Sequence, residues 1–297
     1  MKIHGASRPS SLADPDGTNI TIRNDALRAV FHPVAGGRLG SLRHARHGDL
    51  IVPFIADTFD PSTWPKSGAF PLFPFHNMLR HSTFEHEGRP VRLRPNMPGG
   101  KDVMHGPAHR RAWSVSYHGE EQIALTLDYH ADGDWPFDFR ATQRFELHQD
   151  QLTVKLYLTN TGREHMPGGL GWHPYFRASK DGVIGLDATR RWTPFGPAGM
   201  THDSPVAPLI RLALGSTWHY SGWTQATAVV GDGARITLSG QGALTCFAAL
   251  HKEAYLCLEP VSHVAGALAG PQTPTDTGLR HLAPSESMCG TIILSVA

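Results

Sequence analysis

The stretch QLTVKLYLTN, residues 151–160, decides the fold class. Leu152, Val154, Leu156 and Leu158 alternate with polar or amphipathic side chains. Because successive side chains of a strand point to opposite faces, this period of two predicts a β-strand with one buried face and one face in water.

The same alternation recurs along the chain. Further strand-like stretches are NITIRN, WSVSYH, IALTLDY, DFRATQRFELH and ARITLSG. HGEEQ and GDGAR lie beside them as turn segments. No window of a dozen residues carries a helical apolar stripe, and 31 glycines and 23 prolines would interrupt one repeatedly. We predict an all-β chain, a single large antiparallel β-sandwich over residues 18–297, with a loose polar tail at 1–17.

Composition excludes several classes of partner. A formal net charge of +1 gives no electrostatic reason to expect a nucleic acid or an acidic membrane surface. The three cysteines follow no Cys-x-x-Cys spacing and suit a reducing compartment. The polar N-terminus lacks the apolar core of a signal peptide, and no apolar run is long enough to span a bilayer. We expect a cytoplasmic monomer or homodimer.

Four polar stretches are embedded in apolar, glycine or proline surroundings: PFHNMLRHSTF, DVMHGPAHRRAW, GLGWHPYF and YLCLEPVSH. Around His173, glycines and a proline predict a shaped loop or strand end, and the aromatic neighbours suit a small-molecule pocket. Glu259 ends a strand-like run, where a buried charge costs several kcal/mol unless it is paired. Two structural alternatives stay open: a hydrogen-bonded core histidine at 173 and a solvent-facing, salt-bridged strand end at 259.

The chemistry that these residue types support is proton transfer. No Gly-x-Ser-x-Gly elbow, phosphate-binding loop or dinucleotide fingerprint is present. The histidine and cysteine spacing matches no zinc motif, which leaves open only a metal site assembled from remote segments. His105 precedes a glycine in a predicted loop and supplies a second histidine. Two histidines and a carboxylate can move protons without a cofactor.

Taken in order, the four stretches resemble the aldose 1-epimerase (galactose mutarotase) family. PLFPFHNMLRHSTFEHEGRPVRL resembles its Pro-Phe-x-Asn-Arg-Ile region, DVMHG its His-Gly motif, GWHPYF its His-Pro-Tyr-Phe motif and CLEPVSH its Glu-Pro motif. The resemblance spans nearly the whole chain. It implies one large β-sandwich that binds a sugar in its pyranose form and interconverts the α and β anomers with no metal or nucleotide.

The resemblance also implies residue roles. Glu259 is the general base on the anomeric hydroxyl, His173 protonates the ring oxygen, and His105 hydrogen-bonds sugar hydroxyls. The ring opens to the free aldehyde, the C1–C2 bond rotates, and closure on the other face gives the other anomer. Further candidate substrate-binding residues are Asn77, Arg80, Trp172 and Tyr175, with the aromatic side chains as a stacking surface.

Two positions depart from the family pattern. Met78 stands where the family arginine is expected, and Thr217 where its substrate-holding aspartate is expected. Arg80 lies two residues further on, which in a strand is the same face. Arg110 and Arg111 are further guanidinium groups near the motifs, or ordinary surface charges. The departures predict an altered substrate preference, including a modified or anionic hexose.

A different class of function stays open on the same fold: a non-catalytic carbohydrate-binding or regulatory protein. Retention of His105, His173 and Glu259 argues against it, because a binder needs neither an acid nor a base. Cleavage of a polysaccharide is disfavoured, since the motifs supply no second set of carboxylates for glycosidic cleavage.

Overall fold

The computed structural model describes residues 19–56, 59–178, 181–196, 199–203, 206–269 and 277–297. The predicted tail at 1–17 lies outside the described residues, and a single domain over 18–297 stays a prediction. Helical structure in these ranges is limited to short 3-10 turns, among them Arg80–Ser82, Pro107–Arg110 and Ala267–Ala269. No helix in this part of the chain has the length and apolar character needed to cross a membrane.

Strands dominate the described residues, as the alternation predicts. They are β1 Ile20–Arg23, β2 Leu27–His32, β3 Arg38–His44, β4 Gly48–Asp49, β5 Ala69–Leu72, β6 Met78–Leu79, β7 Thr83–His86, β8 Arg89–Arg92, β9 Val103–Met104, β10 Ser114–His118, β11 Gln122–Tyr129, β12 Phe139–His148, β13 Gln151–Asn160, β14 Met166–Gly168, β15 Gly171–Arg177, β16 Val183–Asp187, β17 Arg190–Gly196, β18 Gly199–Asp203, β19 Leu209–Arg211, β20 Thr217–Ser221, β21 Gln225–Val230, β22 Ala234–Gly242, β23 Cys246–His251, β24 Tyr255–Val261, β25 Arg280–Leu282 and β26 Ser287–Val296.

Two large antiparallel sheets account for most of these strands. The first runs β1-β2-β3-β5-β15-β24-β23-β20-β17-β18, with β4 beside β3. The second runs β10-β11-β12-β13-β26-β22-β21-β16-β19. β13, the strand of the opening stretch, lies between β12 and β26 near the middle of the second sheet, and its four alternating apolar side chains are fully buried. The all-β, antiparallel fold class is confirmed.

The main hydrophobic core is built from one face of each sheet. β15 contributes Trp172 and Phe176 to this core, and β24 contributes Leu256 and Leu258. Burial of apolar surface at about 25 cal/mol per Å² makes such a core the principal stabilising term of the fold. The large core therefore fixes the registers of β15 and β24, because a slip of one residue would turn their apolar side chains out of it.

The opposite face of the first sheet, here called its outer face, carries a second and smaller cluster. Tyr175 from β15, Cys257 and Val261 from β24 and Phe70 from β5 belong to it. They alternate with the core residues of the same strands. This outer face is buried as well, and Trp64, from the segment before β5, packs against the cluster. The candidate site lies here.

Candidate active site

A row of side chains crosses the outer face in register. His173 pairs with Phe70 across β15 and β5, Glu259 with Ala248 across β24 and β23, and Ala248 with His219 on β20. β15 and β24 are paired two residues before and two residues after this position, Gly171 with Val261 and Tyr175 with Cys257. This register puts His173 opposite Glu259. Glu259 therefore lies in the interior of β24, where the sequence predicted a strand end, and His173 lies within β15, where it predicted a loop or strand end.

His173 and Glu259 form a buried acid/base pair. His173 Nε2 lies 3.4 Å from Glu259 Oε1, and each side chain is 5% exposed. Burial raises the pKa of Glu259 to about 8, and the nearby positive charge of Lys66 acts in the opposite direction. Burial lowers the pKa of His173 well below its usual 6.5, with positive charges at Lys66 and Arg38 acting in the same sense.

These opposed shifts leave one transferable proton on the pair near neutral pH. Protonated Glu259 with neutral His173 has the same proton count as ionised Glu259 with a His173 imidazolium. The second arrangement is a base beside an acid. It is reached from the first by moving one proton over the 3.4 Å between the two side chains.

The His173 ring packs against two aromatic rings. The centroids of Phe70 and Tyr175 each lie 4.7 Å from that of the imidazole and 6.1 Å from each other, and the Tyr175 ring is nearly parallel to the imidazole. Burial raises the pKa of Tyr175 well above its usual 10, so its phenol is neutral. Tyr175, predicted from the sequence as substrate-binding, is thereby placed to orient the imidazole.

His105 is fixed by reciprocal hydrogen bonds with Asn77. The His105 N–H donates to the Asn77 carbonyl at 3.0 Å, and the Asn77 N–H donates to His105 Nδ1 at 2.9 Å. Because Nδ1 accepts, the neutral imidazole carries its proton on Nε2, which is buried with no hydrogen-bond partner. Both residues have left-handed backbone, with φ of +58° and +63°. The Nε2–H group of His105 is thus an available donor, and the centroid of its ring lies 5.5 Å from that of His173.

The loop before β5 brings Trp64 and Lys66 to the site, and neither residue is predicted from the sequence. The Trp64 ring meets His105 edge-on at 4.8 Å and His173 at 6.3 Å between centroids. Lys66 Nζ lies 3.3 Å from the Trp64 ring centroid, a cation–π contact. Burial lowers the pKa of Lys66 to about 8 although Cys257 and Glu259 favour its charge. The segment STWPKSG has no periodicity or motif that could have identified these residues.

Trp172 is not brought to the site, contrary to the sequence prediction. Its side chain is fully buried in the main core, on the opposite face of β15 from His173. Neighbouring residues of a strand point to opposite faces, so a histidine and the tryptophan beside it cannot both face the pocket. Trp64 is the tryptophan that packs beside the two histidines.

The arginines differ from the expectation too. Arg80 is exposed and begins a 3-10 turn, so the strand alternation that would put it on the face of Met78 does not apply. Arg111 binds Asp132 and Asp134 at 2.8 and 2.7 Å, and Arg110 lies 3.5 Å from Asp134. These two guanidinium groups are therefore engaged in an ion-pair network.

The position of the missing family aspartate does lie on the outer face. Thr217 begins β20 two residues before His219, so both side chains point the same way. Thr217 is opposite Leu250 of β23, which in turn pairs with Cys257 of β24. The threonine is thus one row away from Glu259 along the same face.

One group among the described residues has the geometry to hold a metal ion. His173, Cys257 and Glu259 offer ligand atoms that all lie within 4.8 Å of one another. The positive charge of Lys66 opposes a cation there, and burial raises the pKa of the Cys257 thiol well above its usual 9, which disfavours a thiolate ligand. Chemistry without a metal stays a prediction.

Comparison with known proteins agrees with the fold. The model of the aldose 1-epimerase family matches residues 18–197. The chain is 29% identical over 279 residues to the uncharacterized protein YphB of Escherichia coli (strain K12), covering 84% of this chain and 93% of that protein. With its motifs on a fold of this kind, the chain belongs to the aldose 1-epimerase family.

Solved structures show the same fold at low sequence identity. A putative aldose 1-epimerase from E. coli K12 is 24% identical, with a TM-score of 0.80 over 94% of this chain and 99% of that one. A galactose mutarotase-like protein from Clostridium acetobutylicum is 16% identical, with a TM-score of 0.80 over 94% and 95% of the two chains. Galactose 1-epimerase from Lactobacillus acidophilus NCFM is 15% identical, with a TM-score of 0.70 over 97% of each.

Proposed function

We propose that the protein interconverts the α and β anomers of a hexose by acid/base opening and closure of the pyranose ring. Glu259 takes the proton of the anomeric hydroxyl while His173 gives a proton to the ring oxygen, and closure reverses both transfers. The observation that carries the proposal is the buried His173–Glu259 pair with a single transferable proton. His105 donates from Nε2 to a sugar hydroxyl and helps to hold the ring.

The alternative, a sugar-binding protein without turnover, fits the pair less well. Burying a carboxyl group and an imidazole costs free energy that binding alone does not require. His173 Nδ1 and His105 Nε2 are both buried with no hydrogen-bond partner in the structure. Such costs are typical of catalytic sites, where titratable groups are tuned for proton transfer.

The charge of the substrate is a separate part of the proposal. Arg110 and Arg111 are occupied by carboxylates, which weakens their support for an anionic hexose. Lys66 replaces them as the cation within electrostatic reach of Glu259. We propose a hexopyranose as the substrate class, with any acidic substituent directed toward Lys66.

Location and assembly also remain proposals. Cys246 and Cys257 are buried and Cys289 is exposed, and none of the three forms a disulfide. Cysteines outside disulfides suit a reducing compartment, which supports the cytoplasm as the site of action. A monomer or homodimer is retained as the proposed state.

A screen of freshly dissolved single anomers tests the function. We expect the protein to accelerate the relaxation of optical rotation, or NMR exchange between anomers, for at least one neutral or anionic hexose, with the rate unchanged by a metal chelator. Acceleration of none of them, with sugar binding still detectable by NMR titration, would favour the non-catalytic alternative.

The pH profile follows from the single proton of the pair. Glu259, with a pKa of about 8, shares that proton with His173, so the pair loses its proton above about pH 8. We expect kcat/KM, corrected for spontaneous mutarotation, to be level from near pH 6.5 to below 8 and then to fall about tenfold per pH unit. A rate that rises through pH 8 would instead mean that Glu259 acts ionised beside a neutral His173.

The variant Lys66→Met tests whether the charge of Lys66 sets the pH at which kcat/KM begins to fall. The titratable groups near Glu259 include Lys66 from the loop and His173 from β15, while burial keeps Cys257 and Tyr175 neutral. Removing the positive charge raises the pKa of Glu259 further, so the fall in rate is expected to move to higher pH. Lys101→Met, an exposed lysine in another loop, is the control. If the fall in kcat/KM stays at the same pH, Lys66 does not set the pKa of Glu259.

A further inference from the structure

Three buried histidines beyond the acid/base pair lie together with His105. We call His76, His105, His219 and His263 the histidine arc. The His76 ring stacks on His263 at 4.6 Å and lies 6.2 Å from His219 between centroids. His76 is also within electrostatic reach of His105. The arc therefore continues from His105, at the acid/base pair, to His219 on β20, two strands away from Glu259 on the same face.

The members of the arc are neutral near pH 7. Burial lowers the pKa of His219 and of His263 to about 4 each. It lowers the pKa of His76 and of His105 well below 6.5, and neighbouring histidines add to the effect. A neutral imidazole offers one N–H donor and one nitrogen acceptor, which is the pairing that a hydroxyl group requires.

Several of these donors and acceptors are unused within the protein. His76 Nε2–H donates to the His263 carbonyl at 2.7 Å, so its Nδ1 is an acceptor, and that atom is buried with no partner. Both ring nitrogens of His263 and Nε2 of His105 are also buried without a partner. Buried polar atoms are normally hydrogen-bonded, so a cluster of unused ones indicates a place where a polar ligand binds.

The spacing suits a sugar ring that starts at the acid/base pair. His219 and Glu259 occupy the same row, separated only by Ala248 on the intervening strand. Two strand spacings put them about 10 Å apart at the backbone, comparable with the length of a pyranose and its hydroxyl groups. Ala248 contributes only a methyl group between them.

We propose that His76 and His219 determine substrate specificity by binding hydroxyl groups remote from the anomeric carbon. They take over the recognition that Met78 and Thr217 lack, with uncharged imidazoles in place of an arginine and an aspartate. The group bound by the arc is then an uncharged polyol face of the sugar. This inference rests on the proposed function for the orientation of the ring, with its anomeric carbon at Glu259.

Single-hydroxyl deletion in the sugar, combined with His76→Phe and His219→Phe, tests the proposal. Phenylalanine keeps a planar aromatic ring of slightly larger size and removes the nitrogens. kcat/KM is measured by NMR anomer exchange for the best hexose and for its 2-, 3-, 4- and 6-deoxy analogues, and affinity is measured by NMR titration. His86→Phe is the matched control, because His86 is buried with two unpartnered ring nitrogens but stacks on His281, outside the arc.

We expect the unmodified protein to prefer the parent hexose over at least one deoxy analogue by about tenfold or more. In His219→Phe or His76→Phe that preference should shrink to within about twofold, while His86→Phe retains it. A loss of rate shared equally by parent and analogues, or an unchanged preference, would overturn the proposal. Leucine variants replace any phenylalanine variant that fails to fold. They are judged by the same ratio of kcat/KM for the parent hexose to kcat/KM for the deoxy analogue.

The affinity data separate this inference from the proposed function. If no sugar is turned over but the binding preference still collapses in the arc variants, the arc is a sugar site and the epimerase proposal fails. If turnover is found and the preference is unaffected by both substitutions, the epimerase proposal stands and the arc has no part in recognition.

Discussion

Replacing Glu259 with glutamine is expected to reduce kcat/KM for anomer interconversion by about 10²- to 10⁴-fold, the usual contribution of a general acid or base. Glutamine has nearly the same shape as the carboxylic acid, but it cannot accept the proton of the anomeric hydroxyl. Relaxation of optical rotation measures the change. Glu253→Gln, in the exposed turn between β23 and β24, is the control and should leave the rate unchanged.

The same substitution is expected to stabilise the folded protein at alkaline pH. The folded-state pKa of Glu259, about 8, is raised above its usual 4.5, so the native state retains a proton that the unfolded chain loses. The free energy of unfolding therefore falls as pH rises from 4.5 to 8, by roughly a few kcal/mol at most. Denaturant unfolding should show Glu259→Gln more stable than the parent at pH 8 and similar near pH 4. For the catalytic prediction above, a Glu259→Gln variant that keeps more than a tenth of the parent kcat/KM would rule out Glu259 as the general base.

His173→Asn is expected to lower kcat by a similar factor of about 10² to 10⁴. Protonation of the ring oxygen is needed in the transition state and contributes little to ground-state binding, so the loss should appear in kcat with KM nearly unchanged. Initial rates over a range of sugar concentrations separate the two constants. A change confined to KM would assign His173 to binding.

Tyr175→Phe is the companion variant for His173→Asn. Phenylalanine preserves the ring that stacks on the imidazole at 4.7 Å and removes only the neutral phenol. We expect it to retain activity within a few-fold of the parent. A loss as large as that of His173→Asn would show that the hydroxyl group itself takes part, and Tyr175 would then be more than an orienting residue.

Local patterns predict the strands and the chemical groups of the site. The period of two in residues 151–160 gives the buried face of β13, and the motifs around His105, His173 and Glu259 single out side chains that the structure brings together. Motif residues can be found in this way because their backbone surroundings, such as the left-handed φ at His105, restrict the neighbouring sequence.

Contacts between remote segments escape such reasoning. The face of Trp172 depends on which side of β15 meets the core, and composition alone does not define that side. Trp64 and Lys66 reach the site from a loop with no period, and Arg80 leaves the pocket face because the chain turns after Leu79. His219 becomes part of the row only through the register of β20 and β23. Each of these depends on tertiary pairing, which no single stretch encodes.

The two faces of the first sheet divide its strands by the parity of residue number. In β24 the even positions Leu256 and Leu258 belong to the main core, while the odd positions Cys257 and Glu259 face the site. β15 follows the same rule, with Trp172 and Phe176 even and His173 and Tyr175 odd, and in β20 His219 is odd. Substitutions at odd positions of these strands therefore act on the candidate site and on the smaller cluster, while the packing of the main core is left in place. A directed-evolution library confined to the odd codons of these strands would thus vary the site without touching the main core.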